Sequence, residues 1–136
     1  MALTSTSVSN TMKLLLELDH PSIASIYKVS EDKNKISVYQ EYLPTLLYDQ
    51  LITVKQLPIQ TVRCYLKQII EVIVILHENN KSHDNLTPLH IGSTMGLCKV
   101  RISLINIGQA RPNYLKDIHY LGILGYQMAY GFNIRS

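Results

Sequence analysis

The chain has 136 residues, 46% of them hydrophobic and 17% charged, which supplies one buried core and leaves little room for a second domain. A net charge of +3, spread over thirteen scattered Lys and Arg, marks no nucleic-acid-binding stripe. The start MALTSTSVSN lacks the basic and apolar regions of a signal peptide, and the longest apolar run, Tyr120 to Phe132, is too short to span a bilayer. Cys64 and Cys98 sit in unrelated segments and make no disulfide framework, so a reducing intracellular compartment such as the cytoplasm is expected.

Residues 1–10 read as a frayed, Ser/Thr-rich terminus. Met12, Leu14, Leu15, Leu16 and Leu18 predict a short helix over 11–18, stopped before His20-Pro21. Residues 23–30 and 35–42 predict two antiparallel strands joined by the turn Glu31-Asp32-Lys33-Asn34. A short helix over 46–52 follows Pro44. The strongest periodicity runs from Pro58 to Glu78, where Val62, Tyr65, Leu66, Ile69, Val72, Ile73 and Leu76 keep i, i+3, i+4 spacing. Ile70, Val74 and Ile75 widen that face, so this helix is expected to be enclosed on most sides. Beyond it come a polar loop, short strands at 89–91 and about 100–105 around a turn at Thr94-Met95-Gly96, and a last helix from Asp117 to Gly131.

The wording of these segments resembles a eukaryotic protein kinase domain over about residues 11–131, with 132–136 as a tail. LLELDHPSIASIYKVSEDKNKISVYQEYL is similar to the end of the family's C helix, its fourth and fifth strands and the hinge. LPIQTVRCYLKQIIEVIVILHENN resembles its E helix, SHDNLTPLHI its catalytic loop H-R-D-L-K-P-E-N, LINIGQA its D-F-G element, and DIHYLGILGYQMAYG the start of its F helix. The resemblance implies an α+β class and a partial protein-kinase-like fold. One N-lobe hairpin stands on a truncated, mainly helical C-lobe, because the Gly-rich loop, the V-A-I-K strand, the A-P-E element and the later helices have no counterpart in the chain.

The departures from the family pattern fall on its chemistry. The catalytic base is replaced by Asn85, the loop lysine by Thr87, the magnesium-binding Asn by His90 and the metal-binding Asp by Asn106. An amide takes no proton near neutral pH and is a poor magnesium ligand. The C-helix glutamate maps onto Thr11, the gatekeeper onto Gln40, and the side chain beneath the adenine ring onto Gly92. The resemblance therefore implies a pseudokinase without phosphotransfer, bound ATP or any cofactor. The family's structural column maps onto Leu15, Ile26, Ile107, His83 and Asp117, which keep its apolar and polar character.

Other readings of these residues are weaker. His83, Asp84 and His90 match no zinc spacing, and His83 reads better as a satisfied core histidine near Asp117, itself a cap for the last helix. Cys64 reads as a small core residue, His119 as packing or surface, Gly96 as a turn and Gly108 as a bend. The last helix is apolar nearly all round, and each exposed large side chain forfeits roughly 1.5–3 kcal/mol of burial. Leu121, Leu124, Tyr126, Met128 and Tyr130 are accordingly the expected interface to other, obligate protein subunits, with no nucleic acid and no membrane. The function expected is a structural or scaffold subunit of a larger assembly. The alternative is a regulator that docks on an active kinase or another enzyme.

Overall fold

The computed structural model describes residues 5–33, 35–94, 98–104 and 111–132. Asn106, Ile107 and the two glycines at 96 and 108 lie outside the described residues. The elements in chain order are helix α1 (Ser5–Glu17), strands β1 (Ile26–Asp32) and β2 (Lys35–Gln40), helices α2 (Leu47–Val54) and α3 (Ile59–Glu78), a 3-10 turn (Pro88–His90), strands β3 (Ile91–Thr94) and β4 (Lys99–Ile102), and helix α4 (Tyr114–Tyr130).

Most boundaries shift by a few residues from the sequence expectation, β1 among them at Ile26–Asp32 in place of 23–30, and three of the differences bear on the site. Helix α1 begins at Ser5, inside the stretch read as frayed. Residues 88–90 form a 3-10 turn because Pro88 sets a helical φ and His90 N–H donates to Thr87 O, so the strand starts only at Ile91. Helix α4 starts three residues before Asp117, and its cap is Asn113, whose side chain accepts from Lys116 N at 3.0 Å. Asp117 is therefore free of capping duty.

Strands β1 and β2 form one antiparallel hairpin and β3 and β4 another. Residues 22–24 stitch the two regions together: Ala24 N donates to Ile102 O, and Ile102 N donates to Ser22 O. A second seam joins the hinge to β3, where Ser93 N donates to Thr45 O. The core is continuous. Tyr65, Ile69, Val72 and Leu76 of α3 pack with Leu47 and Leu51 of α2, Ile91, Val100 and Ile102 of the second hairpin, and Leu124 and Met128 of α4. Leu15 of α1 is fully buried in the same cluster, and Ile26 and Leu121 are half-buried against it.

Helix α3 is less enclosed than its composition suggests, since Ile70 and Val74 are exposed on its outer side. At the other end of the core, α4 stops at Gly131, whose φ is +92 and whose missing Cβ would stand 2.7 Å from Lys55 O. Only glycine fits that left-handed, close approach. The two cysteines correct another expectation. Cys64 on α3 and Cys98 before β4 are joined as a disulfide, with Cα atoms 6.3 Å apart, because packing the hairpin on α3 aligns residues 34 apart in sequence.

Candidate functional site

The site gathers around the loop that leaves α3. Asn80 (φ 59) and Asp84 (φ 70) adopt left-handed backbone, which Asn and Asp tolerate better than most residues, and the loop folds back over the start of α4. Asp117 lies beneath it with no solvent exposure. One of its carboxylate oxygens accepts from His83 N at 2.8 Å and the other from Asp84 N at 2.9 Å. His77 Nε2, on the last turn of α3, is also 2.8 Å from that carboxylate. A buried carboxylate with two backbone donors and an imidazole fixes the loop in one place.

His83 is 1% exposed, and its partners determine its tautomer. Nε2 donates to Ser103 O at 2.6 Å, and Nδ1 accepts from Asn85 N at 3.2 Å. Burial pushes its pKa down, against the opposing pulls of the Ser103 carbonyl and Asp117, so the ring is neutral. Beside it, Ser82 Oγ donates to Asp84 Oδ1 at 2.6 Å and accepts from Asn113 N at 2.9 Å, tying the loop to the cap of α4. Lys81 Nζ reaches Thr11 Oγ1 of α1 at 2.9 Å.

Asn85 and Thr87 both hydrogen-bond to His90. Asn85 Nδ2 donates to His90 Nε2 at 3.2 Å, which leaves the His90 proton on Nδ1, directed at Thr87 Oγ1 at 2.8 Å. Desolvation lowers the pKa of His90 as well. Nothing charged takes part in this chain of three side chains. It can donate and accept neutral hydrogen bonds, and it holds no general base stronger than an imidazole whose lone pair is already engaged.

The hinge beyond β2 faces the same loop. Gln40 Oε1 accepts from Ser103 Oγ at 2.9 Å. Leu43 lies over Gly92 so closely that a Cβ there would stand 3.0 Å from Leu43 Cδ2. Arg101 pairs with Glu41 and also donates to Ser25 Oγ and Pro21 O, clamping β4 onto the hinge.

The structure thus brings together Asn85, Thr87 and His90, and beside them His83 and Asp117, with His83 Nδ1 accepting from Asn85 N. Of the residues expected at a partner interface, Leu124 and Met128 are 1% and 0% exposed, covered by this chain's own core, and Leu121 is half-covered. Their spacing from Asp117 explains this: 117, 121, 124 and 128 form one inward stripe of α4. Tyr126 and Tyr130 are exposed, their rings 4.8 Å apart, on the opposite side with Ile118 and Ile123. His119 is exposed too. Among the described residues no cluster of His, Cys, Asp or Glu could hold a metal ion, and no helix is long and apolar enough to cross a membrane.

The backbone superposes on a solved structure of Rad53 residues 1–466 in complex with AMP-PNP with a TM-score of 0.77, covering 93% of this chain and 38% of that one at 22% identity. The chain has part of a protein-kinase-like fold. In sequence, the chain is 31% identical over 80 residues to NUAK family SNF1-like kinase 1 of Homo sapiens, covering 58% of the chain and 12% of the relative. It is 28% identical over 118 residues to the serine/threonine-protein kinase ULK1 of Homo sapiens, covering 82% of the chain and 11% of the relative. The chain spans about a tenth of the length of these relatives. No family model matches it.

Sequence reading missed His77, Leu43, Gln68 and the Arg101–Glu41 clamp. A signal existed for His77, an imidazole in the last turn of a strongly periodic helix. None existed for Leu43 or for a salt bridge between residues 60 apart.

Proposed function

We propose that this kinase-like domain is a pseudokinase that serves as a structural subunit of a protein assembly. The observation that carries the reading is the hydrogen-bonded chain in which His90 joins the side chains of Asn85 and Thr87. Phosphoryl transfer needs a base to orient the attacking hydroxyl and hard oxygen ligands for magnesium. An amide and a hydroxyl, each hydrogen-bonded to one neutral imidazole, supply neither. Leu43 seated on Gly92 supports the same reading, because a side chain of the hinge itself fills the space over the position that the resemblance sets beneath the adenine ring. The polar groups that remain, Asp117, His83 and His77, are engaged in holding the loop.

The partner is read as another protein bound on the outer side of α4. Ile118, Tyr126 and Tyr130 are 57%, 50% and 67% exposed, and aromatic side chains of this kind anchor protein interfaces. The test is isolation of the chain from its native source with identification of the proteins retained in stoichiometric amounts. Tyr126→Asp with Tyr130→Asp is expected to release them while the circular dichroism of the chain is unchanged. A compact, protease-resistant monomer that retains nothing would overturn the structural role. A transient complex that changes a kinase's rate would make the chain a regulator instead.

A further inference from the structure

We propose that Cys64 and Cys98 form a reversible redox latch that closes the segment carrying the loop of residues 79–90. The bridge is not what holds these two residues together. Gln68 does that by hydrogen bonds alone: its Nε2 donates to Cys64 O at 3.1 Å and to Cys98 O at 2.8 Å. Its Oε1 accepts from Val100 N at 3.0 Å and from Ser22 Oγ at 3.3 Å. One half-buried amide thus pins α3, the turn before β4 and the segment before β1. With Cα atoms 6.3 Å apart, inside the range that a disulfide spans without backbone movement, the dithiol and the disulfide share one fold. A pair preorganised in this way opens and closes without refolding.

One of the two cysteines also stands at an opening. Cys64 and Cys98 are both half-buried, and Cys98 lines an open cleft of about 470 Å³ with Val54, Leu57, Pro58 and Tyr65. A small thiol or disulfide can enter there. The chemistry is thiol–disulfide exchange with a low-molecular-weight disulfide such as oxidised glutathione. Cys98 thiolate attacks it and releases one thiol. Cys64 thiolate then attacks the Cys98 sulfur of the mixed disulfide and releases the second. Two protein thiols are oxidised, one small disulfide is reduced to two thiols, and the two protein protons end on the two released thiols by way of solvent.

The consequence follows from what the bridge encloses. Residues 64–98 contain His77, His83, Asn85, Thr87 and His90, so closing the latch restrains the whole loop that rests on Asp117. Cross-linking removes conformations from the opened chain rather than adding contacts to the folded one.

The experiment equilibrates the full chain in mixtures of reduced and oxidised glutathione and reads intact mass, hydrogen exchange and melting temperature. Oxidation is expected to lower the mass by about 2 Da, slow amide exchange over residues 79–90 by on the order of tenfold, and raise the melting temperature by about 10 °C. Cys64→Ser and Cys98→Ser should each abolish all three responses, and Gln68→Ala should slow closure by on the order of tenfold while leaving the cysteines in place. A mass that does not change across the series would overturn the latch. So would a bridge that forms but leaves exchange over 79–90 unaltered.

Discussion

Replacing Asp117 with Ala removes the one acceptor shared by three donors. His83 N–H is in a residue 1% exposed and has no route to water, so its loss of a partner costs about 2 kcal/mol, the middle of the range for an orphaned buried donor. Asp84 N–H and His77 Nε2 are partly exposed and recover some of their hydrogen bonding from water, at about 1 kcal/mol each. The sum is about 4 kcal/mol. For a chain of 136 residues, an unfolding entropy of about 2.1 cal/mol/K per residue turns that into a fall of about 14 °C in melting temperature. Asp117→Asn keeps one acceptor and sets an amide N–H₂ against the other donor, and should lose about half as much. Urea denaturation of both variants beside Asn113→Ala, which removes only the α4 cap at about 1 kcal/mol, measures the difference. An Asp117→Ala variant no less stable than Asn113→Ala would refute the shared-acceptor role.

Stability should fall as the pH drops below about 6.5, the ordinary histidine value, because His83 and His90 both have depressed values in the fold. The unfolded chain then binds protons that the native rings refuse, at up to about 1.4 kcal/mol per pH unit for each ring. Urea midpoints that stay level between pH 7.5 and 5.5 would contradict the neutral assignments. Ser93→Ala should stabilise the protein by about 1 kcal/mol, since the Ser93 hydroxyl is buried without a hydrogen-bond partner; a loss of stability would show that it has one. Gly92→Leu drives a side chain into Leu43 and should cost about 1–3 kcal/mol, most of it recovered by adding Leu43→Ala. A double-mutant cycle without coupling would remove Leu43 from its seat on Gly92.

The parts of the fold written in local spacing were legible in the sequence. The i, i+3, i+4 pattern from Val62 to Leu76 gave α3, and alternation through Ile36, Val38 and Gln40 gave β2. The pairing of the loop with Asp117 came from resemblance, and the structure supplies its physical basis in the two backbone N–H groups on one carboxylate. The inward stripe of α4 was legible but was masked by apolar residues on every side: Leu124 and Met128 looked no different from Tyr126 and Tyr130 until the core covered the first pair. Asn113, an Asn just before an apolar helix, is a common capping signal that the more familiar Asp117 obscured. What no local rule could give is pairing across distance, such as Cys64 with Cys98 or Arg101 with Glu41. The mutual satisfaction of Asn85, His90 and Thr87 belongs to the same class, because it depends on the geometry of a 3-10 turn.

Phosphoryl transfer from radiolabelled ATP with magnesium is the most direct measurement of what the site does. The chain should be assayed alone and in its native complex beside an Asn85→Ala variant. Turnover is expected to be the same for both, since Asn85 has no proton-accepting role to lose. A magnesium-dependent rate that Asn85→Ala abolishes would contradict the pseudokinase reading and make this loop a working catalytic one.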